Sequence, residues 1–206
     1  MKHQRQRQGR PFLLLLLILL HGLNAALPTS PPPPPPVAGP VVDDGGGNDC
    51  SRHLPLDTPR PPYTRPITTA DATAQALFDQ GMVLSFAFNH DEAARSFTAA
   101  LEADPACVSC AVGLALCLAP NINRPAISAD ALQWAQWAAR TAEASPALAQ
   151  ASKVERAWVR AVGLRFPPER TAADADGGMV YDEAYRDALR EVSQAIEIPP
   201  NRSNQL

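Results

Sequence analysis

The chain has 206 residues, 46% hydrophobic and 19% charged, with a formal net charge of −3 and a pI near 5.8. That balance, with no block of Lys or Arg, excludes the electrostatic footprint of a nucleic-acid binder, and no run approaches the roughly 20 apolar residues of a bilayer span. Thirteen of the 22 prolines fall between Pro28 and Pro66, so a packed body starts near residue 67 and has about 140 residues for its core.

Residues 1–10 carry Lys2, Arg5, Arg7 and Arg10 and no acid, and residues 12–20 are nine consecutive large apolar residues. With the small residues Gly22, Ala25 and Ala26 beyond, this predicts a secretory signal peptide over residues 1–25, cleaved after Ala25. As a helix the apolar run would be about 14 Å long, well short of a bilayer core, so no transmembrane span remains after cleavage. Left uncleaved, the same segment would tether the chain to a membrane. Losing the four cations takes the net charge from −3 to −7, so the mature chain is acidic.

Residues 26–68 read as a disordered proline-rich linker. Six consecutive prolines at 31–36 fix φ and remove amide donors, which favours a stiff polyproline II spacer of about 3.1 Å per residue. Ser30 and the prolines after it resemble hydroxyproline-rich wall glycoproteins. That resemblance implies hydroxylation and O-glycosylation of a secreted stalk.

From Thr69 the composition turns to Ala, Leu, Glu, Gln and Arg at helical spacing. Ala74, Leu77, Phe78, Gly81, Leu84 and Ala87 or Phe88 make one apolar face. Asn89 then supplies a cap, Asp91 and Glu92 supply first-turn acids, and Ala93, Phe97, Ala100 and Leu101 make a second face that closes at Asp104-Pro105. Residues 74–107 resemble a tetratricopeptide repeat. Counted from Ala74, the family's small, aromatic and proline positions fall on Gly81, Leu84, Ala93, Phe97, Ala100 and Pro105, while Leu77 and Gln80 depart from its usual Trp and Leu. The phrases Phe78-Asp79-Gln80-Gly81, Phe88-Asn89-His90-Asp91-Glu92-Ala93 and Asp104-Pro105, with Pro-Asn-x-Asn at residues 120–123, resemble a group of exported proteins built from such repeats. The resemblance implies an all-α fold, a superhelix of helical hairpins over residues 69–198.

Later repeats are looser. Residues 107–118 give the next first helix, a long loop runs over 120–128, and residues 130–145 give its partner with Leu132, Ala135, Ala138, Ala139 and Ala142 on the small-residue face. A fifth helix is predicted over residues 147–166, with Val154, Trp158, Ala161 and Val162 in register. A sixth follows over 181–196, with Tyr185, Leu189 and Val192 aligned. The polar tail 199–206 brings no solvating cap helix, which favours a shortened chain over a sixth helix acting as the cap.

Chemistry-bearing residues are sparse. Cys107 and Cys110 form a CxxC at a helix start. They read as buried structural thiols, as a disulfide in the secretory pathway, or as metal or redox groups, with Cys50 and His53 as a second spaced pair. Cys107, Cys110, Leu114 and Cys117 recur at helical spacing, which favours burial. His90, Asp91 and Glu92 read as turn residues rather than acid–base groups, and Trp134 and Trp137 as packing rather than a stacking platform for a sugar or peptide. Asp174, Asp176, Gly177 and Glu183 fit a calcium loop only in part, because Ala172 stands where its first carboxylate belongs. Asn201-Arg202-Ser203 is a glycosylation sequon.

The expected function is a non-enzymatic scaffold in the secretory or extracellular space that binds a protein or peptide and needs no cofactor. Carried over by repeat position, the groove is Gln75, Phe78, Asp79, Met82, Ser85 and Phe86. Phe78 and Phe86 would anchor a partner, while Gln75 and Asp79 would bond its backbone or polar groups. The alternatives are a cysteine-dependent metal or redox accessory domain using Cys107, Cys110 and the 120–123 loop, and a structural wall or matrix component.

Overall fold

The structure, a computed structural model, describes residues 63–175 and 179–196. The signal peptide, most of the proline-rich stretch, Cys50, His53, Asp176, Gly177 and the Asn201 sequon lie outside the described residues. Within them the chain is all-α, with six helices, no strand, and no helix long and apolar enough to cross a membrane.

Residues 63–71 form a strap that bends at Thr68 and Ala70, with the Thr69 amide on the Ile67 carbonyl, and leads to Asp71, whose carboxylate caps the first helix by accepting from the Ala74 amide at 2.8 Å. Helix α1 spans Ala72–Phe86 and α2 His90–Ala103. Between them the chain reverses through a Schellman turn, in which the Asn89 amide reaches the Leu84 carbonyl and the Phe88 amide reaches that of Ser85. This turn demands a left-handed residue, and Phe88 takes it with φ of 62°. The turn leaves Ala87 and Phe88 exposed, so the apolar face predicted to run on to them ends earlier. Asn89 stands at the cap of α2, but its side chain makes no cap hydrogen bond.

Helix α3 covers Val108–Leu118, α4 Ala129–Ala144, α5 Lys153–Arg165 and α6 Met179–Ala195, with short 3-10 turns at Pro146–Ala149 and Ala172–Ala175. α3 carries no charged residue and packs against α1, α2, α4 and α5, which is why its sequence is apolar nearly all round. α1, α3 and α5 touch in series, and each of α2, α4 and α6 packs on the helix before it. The predicted fifth helix over 147–166 is in fact divided. Ser152 and Glu155 form a reciprocal capping box that starts α5 afresh, after a 3-10 turn begun by Pro146.

The core runs from Leu77 to Phe166, and Phe97 lies at its centre, fully buried. A Cβ at Gly81 would sit 2.7 Å from the Phe97 ring, and one at Gly113 2.6 Å from it. Two glycines on α1 and α3 thus make the slot that admits this ring from α2. The small-residue face of α4 is buried as its spacing predicted, and a second cluster of Ala161, Ala188 and Val192 joins α5 to α6. Trp134 is buried and meets Trp137 edge-on at 5.2 Å, which is packing.

Candidate functional site

The residues expected to form a groove all lie on α1, and the structure divides them by task. Phe78, Met82, Ser85 and Phe86 line a cavity of about 490 Å³. Val112 and Leu116 of α3 and Trp158 of α5 contribute to its walls, with Arg65, Pro66 and Ile67 of the strap. Phe78 is only 4% exposed and packs on Phe97 at 5.7 Å between ring centres, so it lies within the core rather than projecting toward a partner. Phe86 is 68% exposed, with Tyr63 edge-on against it at 6.4 Å.

Gln75 and Asp79 already hold a backbone, and it is the chain's own. The Arg65 amide donates to Asp79 Oδ1 at 3.0 Å, and the Ile67 amide donates to Gln75 Oε1 at 3.1 Å. Gln75 Nε2 returns a bond to the Arg65 carbonyl at 3.0 Å and another to Asp79 Oδ1 at 3.1 Å. One amide side chain therefore reads a carbonyl and an N–H two residues apart, a spacing that belongs to extended chain.

The far end of the strap is held by Glu155. Its Oε1 accepts from the Thr68 amide and the Ser109 hydroxyl, both at 2.8 Å. Its Oε2 accepts from the Thr68 hydroxyl at 2.7 Å and the Ser152 amide at 2.8 Å. Burial works against charge on this carboxyl, but the bonds from Thr68, Ser152 and Ser109 outweigh it and hold the group below its ordinary range. The Thr69 hydroxyl donates to Asp104 at 2.5 Å, which adds a tie to the end of α2. The body thus takes in residues 63–68, which the proline count alone assigned to the linker.

The neighbouring polar groups are quiet. The Cys117 thiol sits 3.0 Å from the Ser85 hydroxyl, and burial pushes it up to about 12. His90 lines the same cavity, and its ring nitrogens meet no hydrogen-bond partner. Burial first, and then the charge of Arg124, lower its pKa, so it is neutral at pH 7. Asp91 pairs with Arg124 at 3.0 Å and Glu92 with Arg95, so both acids are engaged structurally.

Cys107 and Cys110 are joined by a disulfide across the first turn of α3, with Cα atoms 5.3 Å apart. Both are fully buried, as the helical spacing with Leu114 and Cys117 implies. Among the described residues no three His, Cys, Asp or Glu side chains gather as metal ligands. The partial calcium loop starts in the 3-10 turn Ala172–Ala175 and passes through residues outside the description.

Comparison with protein-family models, curated proteins and solved structures gives no match.

Sequence reasoning missed the strap, Glu155, Ser109 and Trp158 as parts of this site. A signal existed for Glu155, because Ser152-x-x-Glu155 has the capping-box spacing. The strap offered none, since its ties join main-chain groups to side chains from 8 to 87 positions away and follow no periodicity.

Proposed function

We propose that the chain is an exported, non-enzymatic helical-repeat scaffold of the tetratricopeptide type, binding an extended segment of another protein along the face of α1, α3 and α5. One observation carries this reading: Gln75 and Asp79, the polar groove residues, hold an extended main chain through its amides and a carbonyl. The 34-residue hairpin pattern and the serial contact of the odd-numbered helices support the repeat. The buried Cys107–Cys110 disulfide supports export, because such bonds persist in oxidising compartments. It also weakens the metal or redox alternative, since both sulfurs are already bonded and shielded from exchange partners.

Apolar side chains of the partner would enter the cavity between Met82, Phe86, Leu116 and Trp158. The test is a peptide-display selection against the full chain, followed by affinity measurement on the enriched peptides. Phe86→Ala and Met82→Ser should each weaken binding at least tenfold while the helical circular dichroism stays intact. The reading fails if no peptide is enriched, or if both variants retain full affinity.

A further inference from the structure

The strap is seated as a ligand would be. No residue from 63 to 69 is fully buried, and the core is assembled by the helices. What the body recognises in the strap is mostly main chain: the Arg65 amide and carbonyl, the Ile67 amide and the Thr68 amide. Four side-chain features add to that, two of them at the ends: the Tyr63 ring against Phe86 and the Thr69 hydroxyl on Asp104. Ile67 packs against the core, and the Thr68 hydroxyl reaches Glu155. Thr64 and Pro66 are exposed, Pro66 at the edge of the cavity. Of the three side chains that accept from strap amides, Gln75 is neutral and Asp79 and Glu155 are carboxylates, which favour a neutral or basic segment over an acidic one.

We propose that residues 63–69 fill in cis the site that a partner's extended segment fills in trans, and that this segment carries an aliphatic residue followed by Thr or Ser. The inference rests on the groove reading and gives it a substrate class. The partner's aliphatic residue takes the place of Ile67, its hydroxyl takes that of Thr68 at Glu155, and its amides replace those of Arg65 and Ile67. Tethering gives the strap a high effective concentration, on the order of millimolar for a short connection, so a partner competes against a standing occupant.

The experiment uses the full chain and an end-capped synthetic peptide with the sequence of residues 63–70. Ile67→Pro removes both the amide that Gln75 accepts and the aliphatic contact. The folded variant should bind the peptide at least tenfold more tightly than the unaltered chain. A peptide with Asp in place of the Ile should not bind. In the unaltered chain, saturating peptide should speed hydrogen exchange at the Arg65, Ile67 and Thr68 amides at least fivefold, a readout that stands if Ile67→Pro fails to fold. The proposal is overturned if the folded variant binds no better than the unaltered chain, or if peptide leaves those amides as slow as before. Should selected peptides still bind in a Phe86-dependent way, only the strap proposal falls; should they fail too, the groove reading falls with it.

Discussion

Phe97 shows how narrow the tolerances are at single positions. Alanine normally improves a helix over glycine by about 1 kcal/mol. At Gly81 or Gly113, however, the added methyl would press within 2.7 Å of a fully buried ring. We expect Gly113→Ala to destabilise by about 1–3 kcal/mol in urea unfolding, reversing the propensity order. A second change, Phe97→Leu, should recover part of that loss in the double variant. Phe88 is the opposite case, a bulky residue in a left-handed site where glycine would be free. Phe88→Gly should raise stability by about 0.5–1 kcal/mol, even after losing the edge contact with His90, and a thermal melt would show it. These residues were legible in different degrees. Gly81 and Phe97 stand out by their spacing, whereas nothing local marks Phe88 as the residue that must turn.

Helices were readable because their signals are local: apolar spacing, caps and prolines act within a few residues of one another. The break before α5 also had a local signal, the capping spacing of Ser152 and Glu155, which the reading of one helix over 147–166 passed over. The strap was not readable, for Thr68 and Glu155 meet across 87 positions and no periodicity spans that distance. At this scale Glu155 sets the pH response, because it both starts α5 and holds the strap. Its folded-state pKa lies below the ordinary 4.5, so its contribution is complete above about pH 4.5 and is lost as pH falls from there through the folded value. Exchange at the Thr68 amide should therefore quicken below pH 4.5, after correction for intrinsic rates. Glu155→Gln should lower stability by about 1–3 kcal/mol at pH 7 and flatten that acid dependence.

For the molecule as a whole, α3 is the hub, since every helix except α6 packs against it. Its Cys117 is consequently a reporter of opening. With the thiol buried and pushed up to about 12, iodoacetamide at pH 8 should label it roughly a hundredfold more slowly in the folded chain than in urea. Equal rates would show that α1 and α3 part readily. The order of hairpins was apparent from the sequence, and the six expected groove residues do share one helix. Their division into a cavity wall and a set of backbone holders was not apparent, because it depends on what lies across from them. The strap also has a mechanical meaning. Residues 63–71 lead into the first helix, so tension applied to the chain at residue 63 loads the bonds at Asp79, Gln75 and Glu155 before it reaches that helix. A pull would strip the strap first and bare the face beneath it, making the groove a site that force can uncover.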